Sequence, residues 1–181
     1  MGRLRATILI VAGGAGLFCG CGRSDTPTKF YVEDRWSPEE IAVIRAAADE
    51  WNDLAMSRLK RPMRLLEYAG TVHGQFSPDV YGDVAHVVYR LGTAEEGGAY
   101  FDPDAHAGYA TMQDVVIFTY NTGEASDQYG PHLYSVVLHE LGHFIGLPHF
   151  DHRLGIMNST MSTTDLLESD IEHFCAAYEC K

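Results

Sequence analysis

The segment His139-Glu140-Leu141-Gly142-His143-Phe144-Ile145-Gly146-Leu147-Pro148-His149 constrains this chain more than any other stretch. It has the form H-E-x-x-H-x-x-G-x-x-H. Side chains four residues apart on a helix differ by only about 40° around its axis, so His139 and His143 can aim both imidazoles at one ion. Glu140, beside the first histidine, can reach a metal-bound water without being a ligand. Gly146 permits a left-handed exit from the helix, which returns His149 towards the same point as a third nitrogen donor. Three protein ligands leave one position open for water, and that separates a catalytic zinc from a structural one. The competing reading is an amphipathic helix with partly exposed histidines. It requires three histidines, a glutamate and a glycine to fall at these spacings by chance.

With its third histidine the pattern resembles the metzincin clan of zinc endopeptidases. The resemblance continues in Gly155-Ile156-Met157-Asn158, where Met157 matches the methionine turn that the clan places beneath its metal. Taken alone, Met157 would read as core packing. Some branches carry a tyrosine ligand two residues after this methionine; Ser159 stands there, so the chain looks like the matrixin branch. The likeness runs from about Pro38 to Tyr178, with its specific part between His139 and Met157.

The resemblance implies an α+β, metzincin-like zincin domain. Its parts are a small mixed, mostly parallel twisted sheet, an antiparallel edge strand, an active-site helix and a C-terminal helix. It also implies a zinc-dependent endopeptidase in which His139, His143 and His149 hold one Zn2+. A zinc-activated water would attack the peptide bond, with Glu140 acting as general base and then acid. The expected partner is a protein or peptide substrate, and the expected state is a monomer. A rival of another class is a catalytically silent surface binding or adhesion protein on the same scaffold, because fold does not guarantee activity. Retention of Glu140 beside all three histidines favours the enzyme.

Arg3 and Arg5 precede an apolar run, Ala6 to Phe18, that is too short for an ordinary transmembrane helix and reads as an export signal. Leu17-Phe18-Cys19-Gly20-Cys21 is similar to a bacterial lipoprotein box, with Cys21, or less favourably Cys19, as the lipidated residue. The expected organisation is a lipoprotein-type signal over 1–20, a tether over 21–35 and the catalytic domain over 36–181. The protein would be exported, either to the bacterial cell envelope, with acyl chains as its sole membrane attachment, or to the medium. The remainder of the 181 residues suffices for one domain with a core of its own. A net charge of −12 argues against a nucleic-acid partner.

Two of the four cysteines lie in the signal region, leaving Cys175 and Cys180. In an exported protein they can form a disulfide. On an unbroken helix their α-carbons would lie about 8 Å apart, beyond the roughly 7 Å limit for a bridge. Either the helix ends between them or Cys175 is a small core residue.

Thr26 to Arg35 reads as a polar lead-in. Ser37-Pro38-Glu39-Glu40 has the form of a capping box with proline in the first turn. Ile41, Ile44, Ala48, Trp51 and Leu54 follow at helical spacing, with Asp49, Glu50 and Asp53 on a solvated face. Strands are expected over Met63–Tyr68, Val84–Arg90 and Val115–Tyr120. Gly97 to Phe101 is the expected edge strand, with Ala99 and Tyr100 as candidate substrate contacts by strand addition. Asp102-Pro103-Asp104 with His106 reads as an acidic surface loop rather than a Ca2+ or second zinc site, since oxygen-ligand sites need more donors. Pro131 should open the motif helix, with Leu133, Val136, Val137, Leu141 and Phe144 as its packing stripe. A last helix is expected from Asp165 to Tyr178, with Thr164 as cap and Leu167, Ile171, Phe174 and Tyr178 on one face. Asp151 and His152, next to His149, are candidates for orienting a ligand. His73, His86, His106, His132, His152 and His173 each read as a surface or hydrogen-bonded core histidine rather than a ligand.

Overall fold

Ser37 starts helix α1 (Pro38–Arg58) as its sequence predicts. Its hydroxyl accepts the Glu40 amide at 3.2 Å, and the Glu40 carboxylate accepts the Ser37 amide at 2.8 Å. Two backbone donors that the helix cannot satisfy are thereby paired. Ile44, Ala48, Trp51 and Leu54 are buried, and Ile41 packs beside them. The computed structural model describes residues 26–74, 86–93, 96, 108–110, 115–119, 133–159 and 163–181.

The strands are β1 (Thr28–Glu33), β2 (Leu66–Val72), β3 (Val87–Leu91), β4 (Gly108–Ala110) and β5 (Val115–Phe118). They form one sheet in the order β2-β1-β3-β5-β4. β1 pairs in parallel with β2 and β3, and β3 with β5, whereas β4 is antiparallel to β5 at the edge. A mixed, mostly parallel sheet with an antiparallel edge is the architecture the resemblance implied. Helix α2 (Leu133–Phe144) packs against α1 and lies on β4 and β5. The indole of Trp51 donates to the Leu138 carbonyl at 2.8 Å and stacks on Phe174 of helix α3 (Glu168–Ala177). One tryptophan thus joins α1, α2 and α3.

Several expectations need correction. The stretch from Thr26 to Arg35, taken as part of a tether ending at residue 35, contains the interior strand β1, so the domain begins no later than Thr28. Phe30 and Val32 point into the core at the two-residue period of a strand. Glu33 is also buried, and its carboxylate accepts the Arg35 guanidinium and, at 2.8 Å, the Arg90 amide. That buried carboxylate is what made the segment look polar. β2 starts three residues later than expected because the Asn52 side chain fixes its entry. The amide oxygen of Asn52 accepts Leu65 and Leu66 N–H at 2.8 and 2.9 Å, and its nitrogen donates to the Leu66 carbonyl at 3.0 Å. β3 begins at Val87, after His86 with its φ of 75°. β5 ends at Phe118, and Tyr120 lies outside the described residues.

The described antiparallel edge strand is Gly108–Ala110. Gly97–Phe101 with Ala99 and Tyr100 lies outside the described residues, as do Cys21, Asp102 to Asp104, His106 and Pro131. Glu50, expected in solvent, accepts the Tyr134 hydroxyl and the Leu166 amide, so it ties α1 to α2 and to the approach of α3. The last helix starts at Glu168, not Asp165, and Thr164 is not its cap. Asp170 instead accepts the Leu167 amide at 2.8 Å. Helix α3 ends at Ala177, which lets Cys175 and Cys180 form a disulfide with α-carbons 5.2 Å apart. The tail is pinned to the end of α1 by Lys60 N–H to the Glu179 carbonyl (3.0 Å) and Lys181 N–H to the Arg58 carbonyl (2.8 Å).

Asn52→Ala leaves two buried N–H groups without acceptors and is expected to lower the unfolding free energy by about 2–4 kcal/mol. Asp53→Ala, on the exposed face, should stay within about 0.5 kcal/mol. Urea titrations of the two variants check the pair.

Candidate metal centre

Helix α2 buries Val136, Val137, Leu138 and Leu141 completely, and this anchors the face that carries the two motif histidines. The helix ends as the motif requires. Gly146 takes a φ of 96°, its N–H bonds the His143 carbonyl at 2.8 Å, and Leu147 N–H bonds the Gly142 carbonyl at 2.9 Å. This is a Schellman exit, which a Cβ at Gly146 would strain. It turns the chain so that His149 faces back towards the helix.

The three imidazoles meet. His139 Nε2 lies 3.1 Å from His143 Nε2 and 3.3 Å from His149 Nε2, and all three donor atoms fall within 4.8 Å of one another. His139 Nδ1 is 2.6 Å from the Ile156 carbonyl, and His143 Nδ1 is 2.7 Å from the Leu147 carbonyl. A carbonyl can only accept, so each Nδ1 carries the proton and each neutral ring leaves its Nε2 lone pair free. Lone pairs aimed at one another across 3.1 Å repel unless a cation lies between them. Tetrahedral zinc with bonds of 2.0–2.1 Å separates its nitrogen donors by about 3.3 Å, so the donor set fits that ion. Burial holds His139 down to about 4 and lowers His143 as well, which keeps both donors neutral at neutral pH.

Glu140 is 5% exposed, and burial pushes its carboxyl up to about 8. Its wall on the sheet side is Gly108 of β4. A Cβ there would stand 2.7 Å from both Glu140 Cγ and Oε1. Met157 is fully buried beneath α2 at Gly142, where a Cβ would collide with the methionine sulfur and crowd Trp51. The methionine turn is held from behind by Asp170, itself buried. Its carboxylate accepts Ile156 N–H at 2.9 Å and Met157 N–H at 3.0 Å.

Sequence reasoning named His139, Glu140, His143, His149 and Met157, and the fold gathers all five. It missed Asp170, Gly108 and Gly142. Asp170 had a visible signal, because it occupies the apolar face of α3 three residues after Leu167 and four before Phe174. The two glycines had none. Among the described residues Asp151 and His152 make no hydrogen bond to the triad; Asp151 accepts Ser159 N–H at 2.8 Å instead. The groups that orient the buried ligands are backbone carbonyls.

The sequence profile of the matrixin family matches residues 42–179. No curated protein matches the chain. Among solved structures, the crystal structure of archaemetzincin from Archaeoglobus fulgidus complexed with malonate is similar. It is 13% identical, covers 81% of this chain and 99% of that one, and superposes with a TM-score of 0.50. At that identity the likeness speaks for the fold alone, and the fold is that of the metzincins. The profile covers far more than half of the sequence, and the chain belongs to the matrixin family of zinc metallopeptidases.

Proposed function

We propose that the protein is a zinc-dependent endopeptidase. In it His139, His143 and His149 hold the ion, and Glu140 moves the proton. The observation that carries this reading is the convergence of three ring nitrogens, two of them with their far nitrogens tied to carbonyls, beside a buried carboxyl. Zinc bound there supplies a Lewis acid that polarises a carbonyl and makes water a nucleophile near neutral pH. Without a neighbouring cation Glu140 retains its proton at pH 7; a divalent charge close by favours its ionised form. The carboxylate then accepts a proton from the attacking water and returns it to the departing amine. Gly108 leaves room for that side chain.

Strand β4 lies at the edge of the sheet, against α2. Its outer backbone groups can pair with an extended peptide, which would then run past Glu140 with the chain continuing in both directions. That supports cleavage within a chain rather than at its end. Ala99 and Tyr100 would add contacts from the segment upstream. No helix among the described residues is long and apolar enough to cross a membrane. Attachment to the envelope would rest on acyl chains at Cys21, as its lipoprotein-box sequence implies.

Glu140→Ala should keep zinc stoichiometry by elemental analysis while cleavage of an unfolded protein falls about 10²–10⁴-fold. Wild-type turnover in that variant would remove Glu140 as the base. Gly108→Ala should lower kcat by about tenfold or more at unchanged zinc content, because the added methyl displaces the carboxylate; an unaltered kcat would show that the wall is not needed. Chelation should abolish cleavage, and added zinc should restore it. The chelated protein should also lose stability as pH falls. The folded pKa of His139 is depressed to about 4 against about 6.5 unfolded, so the unfolded chain binds the extra proton in that window. The slope of Tm against pH between about 6.5 and 4 should shrink in His139→Gln.

A further inference from the structure

His139 and His143 each have one nitrogen fixed by a backbone carbonyl, but His149 does not. It is the exposed member of the triad. Among the described residues its one hydrogen-bond contact is Nε2 against His139 Nε2 at 3.3 Å. Its aim is therefore set by the loop that bears it. That loop is gripped on both sides of His149 by a single side chain. His173, on α3, brings Nε2 to 3.0 Å from the Pro148 carbonyl. The same ring lies on Phe150, with centroids 4.7 Å apart and planes 13° from parallel. Phe150 in turn donates its N–H to the Met157 carbonyl at 2.8 Å, and His152 meets its ring edge-on.

We propose that His173 is a positioning residue that holds His149 on the metal by clamping the residues before and after it. The Pro148 carbonyl can only accept, so Nε2 of His173 donates whether the ring is neutral or charged. Phenylalanine at this position would keep the ring without the donor, and glutamine the donor without the ring. Histidine supplies both from the same turn of α3. This α3 is also the helix whose Asp170 holds the methionine turn, so one helix braces both that turn and the loop that carries His149.

The inference rests on the triad's being a zinc site, and the test separates the two. Zinc dissociation constants of the full chain, measured by competition with a chromophoric chelator, are compared for wild type and for His173→Ala, His173→Phe and His173→Gln. Each is made with His149 present and in a His149→Ala background. With His149 present, His173→Ala should weaken zinc about tenfold, as loss of an outer partner does. The Phe and Gln variants should fall between, and they keep the comparison open if the alanine variant does not fold. In the His149→Ala background the His173 substitutions should change affinity by less than about twofold. Wild-type affinity in all His173 variants would overturn the clamp and leave the zinc reading intact. A tenfold loss that persists without His149 would overturn it too, as the mark of a general structural role. A wild-type chain that binds no zinc would overturn the metal centre itself, and the clamp with it.

Discussion

The peptide between Ile156 and Met157 is bound on both faces, and the rest of the centre depends on it. On one side the Ile156 carbonyl takes the Nδ1 proton of His139. On the other the Ile156 and Met157 amides end on the two oxygens of Asp170. Charge-assisted bonds to a buried carboxylate are among the stronger ones a backbone can make. They fix the turn to α3, and the turn fixes the tautomer and ring plane of His139, the most buried of the three histidines. Gly142 and Gly155 make this possible by omission. A Cβ at Gly142 would meet the Met157 sulfur, and one at Gly155 would meet the Asp170 carboxylate. The methionine acts as a floor of the right depth, and its sulfur needs no bond to the metal to matter.

The metal-binding string was legible because its chemistry is local. A helix turn sets the first two histidines and a positive-φ glycine returns the third, so four positions can be placed from spacing alone. Ser37 and Glu40 were legible for the same reason, since a capping box closes within four residues. What failed to show was whatever depends on distant partners. Glu33 is a buried carboxylate of β1 whose long-range partner, the Arg90 amide, is met only in the folded sheet. Glu50 resembled any solvated helix acid until Tyr134 and Leu166 were placed against it. The start of β2 is set by Asn52, thirteen residues before Leu65, and not by propensity at Met63. In each case a buried or half-buried polar group finds its partner across the fold, and hydropathy along the chain cannot reveal the partner.

The three histidines of the triad differ in how firmly they are held, and the order follows their burial. His139 is enclosed and tied to the methionine turn; His143 is half-buried and tied to its own helix exit; His149 is exposed and carried by a loop. A site graded in this way has a rigid floor and an adjustable rim. His139 and His143 are presented by consecutive turns of α2. The cost of ordering the third donor is confined to a few residues after Gly146, and the contacts around Pro148 and Phe150 reduce it.

Glu140 argues against a scaffold kept only for binding. A carboxyl that is 5% exposed and raised to about 8 by burial destabilises the fold relative to a neutral side chain of the same size. Glutamine or methionine would fill the same space without that penalty, and a protein under selection for stability alone would drift to either. The surrounding structure does the reverse. It sets a glycine of β4 against the carboxyl where any larger residue would intrude. A buried carboxyl that costs stability, set against a glycine wall, supports the proposal that chemistry rather than packing decides the sequence here.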